Sequence, residues 1–171
     1  DSIVKTSVIT VAPALALNVD VIQNISCNGG SNGILKALPT GGNGAYTYTW
    51  NNNQTSQSLS NVTAGSYNVT IRDGFNCILT GSKTITQPAP ISVNVNTQLI
   101  GGNKYSATVN AAGGVTPYTF IVNNSTEQTN STISDLTAGN YSLVVKDKNS
   151  CLKSTSFSIS APTPVNETEV Q

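Results

Sequence analysis

The sequence predicts an all-β protein in which small β-sandwiches are arranged end to end in tandem. First, a segment that begins Val-Thr-Ala-Gly-Ser-Tyr at Val62 returns as Leu-Thr-Ala-Gly-Asn-Tyr at Leu136, 74 residues later. Second, apolar residues alternate with small or polar ones, which is the period of a half-buried strand. Third, turn clusters rich in Gly and Asn separate these short runs, and sustained helical spacing is absent. A repeat of this length corresponds to one small domain.

The individual strands follow from the alternating runs in chain order. In the first repeat we predict strands near 15–25, 34–38, 45–51, 57–60, 66–72 and 77–86. The second repeat copies this pattern, with strands near 91–98, 104–110, 117–123, 131–134, 140–146 and 152–160. The intervening turns carry Gly, Asn and Asp, as at 28–30, 41–44, 51–53 and 73–74, because these residues tolerate turn geometry best.

The repeat also sets the predicted domain boundaries. Residues 15–90 form a first complete repeat, and residues 91–164 form a second, diverged repeat. Residues 1–14 are predicted to be the last strand of a preceding repeat, and residues 165–171 the start of a following repeat or a tail. Junctions such as Gln87-Pro88-Ala89-Pro90 contain proline, which restricts its own φ and the residue before it. The junctions are therefore predicted to be stiff spacers, so that the repeats form a rod.

Two tyrosines refine the type of sandwich. Tyr67 and Tyr141 each follow an apolar-Thr-Ala-Gly-x frame at the start of an alternating strand. This placement resembles the tyrosine corner of Greek-key sandwiches, in which the tyrosine hydroxyl bonds to upstream backbone. It predicts Ig-like or fibronectin-III-like Greek-key β-sandwiches, and it gives both tyrosines a role in stability.

Composition argues against catalysis and against several classes of partner. Charged residues are 9% of the chain, against about 25% in an average soluble protein, and the net charge is zero. The chain has no basic field that would attract nucleic acid. It has no His, which removes the usual general base. No apolar run approaches the roughly 20 residues of a membrane-spanning helix. We expect no catalytic residue, no cofactor, no metal ion, no nucleic-acid partner and no direct membrane insertion.

Three cysteines are an odd number, so one thiol is left over in any pairing. Cys27 precedes the turn at 28–30, and Cys77 opens the last strand of the first repeat. A disulfide between Cys27 and Cys77 would close a loop of about 50 residues and contribute about 4 kcal/mol by the chain-entropy estimate. Leu99 replaces the first cysteine in the second repeat, which makes Cys151 the candidate free thiol. The alternative is that two or more cysteines are unpaired small residues of the core.

Tyr46, Tyr48 and Trp50 share one face of a predicted strand. Sugars stack on flat aromatic faces, so these three residues are weak candidates for a ligand platform. We favour the interpretation that they fill the core, because a sandwich needs one apolar face on each strand. Their counterparts in the second repeat are the residues Tyr118, Phe120 and Val122.

Two short acidic segments allow either a calcium site or a turn. They are Asp73-Gly74-Phe75-Asn76 and Asp147-Lys148-Asn149-Ser150. Their oxygens could bind calcium, but each segment has a single carboxylate and the second one also contains a lysine. We therefore favour a turn in which the Asp side chain bonds to the backbone that follows it.

The first repeat resembles a SprB repeat. The segments that carry this resemblance are Ser26-Cys27-Asn28-Gly29-Gly30, Gly41-Gly42, Tyr46-Thr47-Tyr48-Thr49-Trp50, Thr63-Ala64-Gly65-Ser66-Tyr67, Asp73-Gly74-Phe75-Asn76-Cys77 and Thr84-Ile85-Thr86-Gln87-Pro88. The second repeat departs from the pattern at Leu99 and Val122 but keeps Gly113-Gly114, Asp147 and Cys151. The resemblance implies a very long cell-surface adhesin of Bacteroidetes, exported by the type 9 secretion system and used in gliding motility.

On this basis we predict a non-catalytic repeat segment of a large secreted adhesin or filament at the extracellular surface of the cell. It would act as a stiff stalk and adhesive array in gliding motility or surface attachment. Its expected partners are neighbouring repeats of the same chain and a surface polysaccharide or other substratum. Two alternatives remain open: a carbohydrate-binding module with exposed aromatic residues, and accessory Ig-like domains of a secreted polysaccharide hydrolase.

Overall fold

The computed structural model describes residues 11–162. Within them the chain divides between Gln87 and Pro88 into two compact units, which we call unit 1 and unit 2. The predicted segment 165–171 lies outside the described residues, as does most of the predicted segment 1–14. Regular structure in the described range is β-strand throughout, and this part of the chain contains no helix that could span a membrane.

Unit 1 contains six strands in two sheets. They are β1 (Ala16–Gln23), β2 (Gly33–Thr40), β3 (Thr47–Trp50), β4 (Ser58–Val62), β5 (Gly65–Arg72) and β6 (Ile78–Ile85). One antiparallel sheet has the order β1-β2-β4 and the other the order β3-β5-β6. The chain changes sheet between β2 and β3, between β3 and β4, and between β4 and β5. This is the connectivity of an immunoglobulin-like sandwich with three strands in each sheet.

Unit 2 repeats this arrangement. Its strands are β7 (Ser92–Gly101), β8 (Lys104–Ala112), β9 (Thr119–Val122), β10 (Thr132–Leu136), β11 (Gly139–Lys146) and β12 (Leu152–Ile159). The sheets have the orders β10-β8-β7 and β12-β11-β9, and all pairs are antiparallel. The all-β prediction is confirmed, as are the twelve predicted strands. The largest difference lies at the end of β7, which continues to Gly101 and forms a tight hairpin.

The core of each unit lies between its two sheets. In unit 1, Leu35 and Leu59 of one sheet meet Trp50, Val69 and Ile71 of the other, and each is at most 1% exposed. The buried cluster of unit 2 is smaller and consists of Val109, Phe120, Val122, Leu143 and Val145. Burial of each large apolar side chain contributes about 1.5–3 kcal/mol, so these clusters supply most of the driving force for folding.

The edge strands β1 and β6 approach each other closely in unit 1. A Cβ atom placed on Gly81 of β6 would lie 2.9 Å from Leu17 Cδ2 and 3.0 Å from Val19 Cγ2. The two β1 side chains fill the space that a side chain at position 81 would need. The close approach of β1 and β6 at this edge therefore requires a glycine at position 81. Thr155 stands at the corresponding position of β12 in unit 2, 74 residues later.

Candidate functional site

The segment that enters each unit is held by a pair of glycines between the second and third strands. In unit 1, Gly42 N donates to Pro13 O at 2.7 Å. A Cβ atom on Gly41 would lie only 2.0 Å from Ala14 O, and Gly41 has a φ of 71°. Glycine is required here twice over, because the backbone is left-handed and the incoming chain occupies the side-chain position.

A buried carboxylate joins this glycine pair to the turn between β5 and β6. Asp73 is 4% exposed. Its Oδ2 accepts from Asn43 N at 3.1 Å, and its Oδ1 accepts from Phe75 N at 2.9 Å and Cys77 N at 2.8 Å. The carboxylate therefore ties together two loops that are 30 residues apart in sequence.

These hydrogen bonds decide the charge state of Asp73. Burial alone would raise the pKa of the carboxyl group, but the backbone donors, that of Cys77 foremost, outweigh burial and lower the pKa below the ordinary value of aspartate. The carboxylate thus stays ionised at neutral pH. Both of its oxygens accept hydrogen bonds from backbone N–H groups, so the carboxylate serves to fix the two loops.

A tyrosine completes the arrangement. Tyr46 lies just before β3, and its hydroxyl donates to Gly41 O at 2.5 Å. We call Gly41, Gly42, Tyr46 and Asp73 the N-terminal socket of unit 1, because together they hold the incoming backbone at Pro13 and Ala14.

Unit 2 has the same N-terminal socket, made of Gly113, Gly114, Tyr118 and Asp147. Gly114 N donates to Ala89 O at 2.8 Å, and a Cβ atom on Gly113 would lie 2.0 Å from Pro90 O. The Tyr118 hydroxyl donates to Gly113 O. Asp147 is 3% exposed. Its carboxylate accepts from the backbone N atoms of Val115, Asn149 and Cys151 at 2.8–2.9 Å.

The segment that leaves unit 1 is held by the loop between β1 and β2. Ile25 N donates to Thr86 O at 2.9 Å, and Thr86 N donates to Asn24 Oδ1 at 2.9 Å. Gly29 N donates to the Gln87 side chain at 2.8 Å. In unit 2 the corresponding loop is replaced by a tight hairpin at Gly102 and Asn103, and the Tyr105 hydroxyl donates to Ser160 O at 3.1 Å.

The turn interpretation of the two acidic segments is confirmed. Asp73 Oδ1 accepts from the N–H of Phe75, two residues on, and Asp147 Oδ1 accepts from that of Asn149. Because these oxygens already accept backbone hydrogen bonds, they are poorly placed to bind calcium. Within residues 11–162 no group of three or more His, Cys, Asp or Glu side chains could hold a metal ion.

The tyrosine corner is also confirmed in both units. The Tyr67 hydroxyl donates to Thr63 O at 2.9 Å, and the Tyr141 hydroxyl donates to Thr137 O at 2.8 Å. In each case the bond spans the corner between the fourth and fifth strands of the unit and returns four residues upstream, as the immunoglobulin-like pattern requires.

Of the three aromatic residues proposed as a weak ligand platform, Trp50 belongs to the core. It is 1% exposed, and its indole N–H donates to Ser56 O at 2.9 Å. It therefore has no face to offer a sugar. Tyr48 is half-buried against the same core, and Tyr46 is half-buried with its hydroxyl in the N-terminal socket. The core interpretation holds for Trp50, and platform roles for the two tyrosines remain predictions.

The predicted disulfide between Cys27 and Cys77 is not formed, because the Cys77 thiol is free and exposed. Cys77 directly precedes β6, whereas Cys27 lies in the β1–β2 loop, which bonds to residues that follow β6. The eight residues of β6 rise about 26 Å. A disulfide needs Cα atoms about 4.4–6.8 Å apart. The free-thiol assignment to Cys151 is corrected as well, since Cys77 carries the free thiol and Cys151 is not free.

The described surface of unit 1 includes two shallow depressions. One, of about 320 Å³, lies beside the β1–β2 loop and is lined by Ser26, Cys27, Gly30, Ser31, Asn32 and Asn61. The other, of about 370 Å³, lies on the sheet β3-β5-β6 and is lined by Asn68, Thr80, Gly81 and Ser82. Most of the residues that line the two depressions carry hydroxyl or amide side chains.

The fold and the duplicated sockets define a chain built from repeated immunoglobulin-like sandwiches. Residues 19–55, which lie in unit 1, match the family model described as SprB repeat. The match runs from β1 to the loop after β3 and includes the glycine pair of the N-terminal socket. The SprB repeat is a structural repeat typical of cell-surface proteins. No curated protein matches the chain.

Sequence reasoning singled out the glycine pairs, the tyrosines and the aspartates separately but did not predict that they form one socket. The signal was present in the spacing. Gly41 precedes Tyr46 by five residues, and Gly113 precedes Tyr118 by the same number. A glycine pair that recurs with a tyrosine at fixed spacing indicates a place where another backbone segment packs against the glycines. The tyrosine hydroxyl then bonds to the first glycine.

Proposed function

We propose that this chain is a non-catalytic repeat segment of a large secreted cell-surface adhesin, in which the sandwiches serve as spacer and as adhesive array. The observation that carries the proposal is the N-terminal socket, which occurs in both units of a chain that contains a SprB repeat. A socket that binds the incoming segment is what a module needs when it is strung in series with others.

The connecting residues support a stiff spacer. Gln87 is bonded to Gly29 inside unit 1, and Ala89 is bonded to Gly114 inside unit 2. Pro88 lies between these two residues, and proline has a restricted φ. We infer that the backbone of these connecting residues has few accessible conformations, which suits a segment that transmits tension.

The side chains support a structural role better than a catalytic one. Asp73 and Asp147 are the buried carboxylates among the described residues, and each accepts three backbone hydrogen bonds. A carboxylate held in this way is poorly placed to act as a general base, because its lone pairs already accept hydrogen bonds from backbone N–H groups. The chain has no histidine to replace it.

Surface display is the first test of this proposal. Antibodies raised against the purified fragment should label intact cells of the bacterium that produces it, and external protease should remove the labelling. An antibody against a cytoplasmic enzyme is the control and should label only permeabilised cells. Labelling by both antibodies only after permeabilisation would contradict a cell-surface role.

The role in attachment or gliding needs a second test. Cells that carry an in-frame deletion of the whole parent protein should adhere to or spread on surfaces less well than the parent strain. Export by the type 9 secretion system predicts that blocking that system abolishes the surface labelling. Normal adhesion and spreading in the deletion strain would contradict the adhesive role while leaving the surface location intact.

A further inference from the structure

The outward face of the sheet β3-β5-β6 presents a regular grid of hydroxyl and amide groups. Thr49, Thr70 and Thr80 face one another across the three strands and form one row. Asn68 and Ser82 form the next row, and Ser66 and Thr84 form a third, with 3.0 Å between their hydroxyl oxygens. All seven side chains are exposed. We call these residues the hydroxyl face.

The sheet geometry gives the hydroxyl face a regular spacing and a rigid scaffold. Neighbouring strands lie about 4.8 Å apart, and side chains on one face repeat every two residues, or about 6.8 Å. The opposite side of this sheet carries Trp50, Val69 and Ile71, which are fixed in the core. The hydroxyl groups are therefore held on a scaffold with little freedom to reorganise, which lowers the entropic cost of binding.

The chemistry of the hydroxyl face selects an uncharged, polyhydroxylated ligand. Hydroxyl and amide groups both donate and accept hydrogen bonds, as sugar hydroxyls do. The only charged side chain that this face presents among the strands β3, β5 and β6 is Arg72, at the end of its strand, so a polyanion meets no basic cluster. The depression lined by Asn68, Thr80 and Ser82 gives a ligand a place to seat beside the threonine row.

We propose that the hydroxyl face of unit 1 binds neutral polysaccharide, as the adhesive surface of the role proposed above. Each contact is a solvent-exposed hydrogen bond, so one site binds weakly, and repetition along a long adhesin supplies avidity. The corresponding face of unit 2 differs. There Ile121, Val144 and Ser154 replace the threonine row. We therefore assign the site to unit 1 and not to unit 2.

The test is electrophoresis of the fragment in native gels that contain a dissolved polysaccharide. The neutral probes are dextran, galactomannan and hydroxyethyl cellulose, and the acidic probe is alginate. We expect at least one neutral polysaccharide to retard the fragment and alginate not to retard it. No retardation by any neutral probe, or equal retardation by alginate, would overturn the proposal.

The variant T70V/T80V removes two adjacent hydroxyls of the row and keeps β-branched shape, so the strands should pair as before. Its matched control is T108V/T132V, which changes a directly opposed threonine pair on the other sheet of unit 2. We expect T70V/T80V to weaken binding about tenfold and the control to leave binding unchanged. Circular dichroism verifies that both variants fold. If T70V/T80V does not fold, the single variant S82A is used in its place.

Equal loss of binding in T70V/T80V and T108V/T132V would place the ligand elsewhere and overturn the assignment to the hydroxyl face. These binding experiments use the purified fragment and do not depend on where the protein resides in the cell. A negative result here, with positive surface labelling, would reject the ligand and leave the proposed cell-surface role standing.

Discussion

Unit 1 and unit 2 have the same N-terminal socket and the same tyrosine corner but different interiors and surfaces. Trp50 fills the core of unit 1, whereas Val122 stands at the corresponding position of unit 2. Unit 2 instead stacks Tyr141 on Phe157, with ring centroids 5.1 Å apart. The hydrogen bonds that fix the incoming chain thus recur in both units, whereas the apolar side chains of the two cores differ.

This difference shows which parts of the sandwich admit alternatives. A core can be filled in several ways, provided that volume and apolar character are kept. A socket in which a carboxylate accepts three N–H groups has few substitutes, because one missing partner leaves a buried donor or charge unsatisfied. The comparison predicts that core substitutions act differently in the two units and socket substitutions act alike.

The largest effect is expected from truncating the core residue in which the units differ. Trp50→Ala should destabilise unit 1 by about 3–5 kcal/mol, since it leaves a large cavity and an unpaired Ser56 carbonyl. Val122→Ala is the matched change in unit 2 and should cost about 2 kcal/mol. Hydrogen–deuterium exchange of β5 and β11 peptides reports the stability of each unit separately. Equal protection losses would show that the Trp50 contribution to the core is overestimated.

The N-terminal socket is tested by adding one methyl group. Gly41→Ala should destabilise unit 1 by about 3 kcal/mol, because the new Cβ collides with Ala14 O and the backbone is left-handed. Gly44→Ala is the control, with a φ of 63° and no atom within 4 Å of the new Cβ. It should cost about 1 kcal/mol from backbone strain alone.

The same glycine-to-alanine test can be made in unit 2, so that the two sockets can be compared. Gly113→Ala should match Gly41→Ala in size, because its Cβ would lie 2.0 Å from Pro90 O. Gly102→Ala supplies the control in unit 2, since its φ is 58° and its surroundings are open. Thermal unfolding and exchange measure all four variants. If either socket glycine proves no costlier than its control, the incoming segment is not held as tightly as the structure indicates.

The tyrosine corners should give a smaller effect of similar size in both units. Tyr67→Phe removes the donor to Thr63 O, and Tyr141→Phe removes the donor to Thr137 O. Each should cost about 1 kcal/mol, the usual net contribution of one hydrogen bond. The Tyr141 hydroxyl also accepts from Thr137 N at 3.0 Å, so the change in unit 2 should be slightly larger. A clearly larger loss in unit 1 would contradict this order.

Sequence patterns predicted the strands because alternation is local, and they predicted the tyrosine corners because each spans four residues. The Cys27–Cys77 pairing failed because it depends on which end of the sandwich each loop occupies, which alternation does not encode. The socket joins Asn43 to Asp73, 30 residues apart, and this pairing follows from topology. Outward positions such as Thr70 were predictable as exposed, but the three-strand threonine row needed the strand register.

A pH-dependent effect is expected from the Asp73 carboxylate, which accepts three backbone hydrogen bonds in its ionised form. The pKa of Asp73 is lowered in the folded state. Its contribution to stability is therefore fully present above the pKa of aspartate in the unfolded chain, which is about 3.9. Stability is lost as pH falls below that value and through the folded pKa, because the unfolded chain binds the proton first. The asparagine side chain of the variant Asp73→Asn does not titrate. Its NH₂ group replaces one of the two carboxylate oxygens and faces backbone N–H donors with which it cannot form hydrogen bonds. The midpoint of thermal unfolding should therefore be lower in Asp73→Asn than in the wild type at pH 6, and the difference should narrow below about pH 4. A constant difference from pH 6 to the acid limit would show that the hydrogen bonds to the ionised carboxylate do not stabilise the socket.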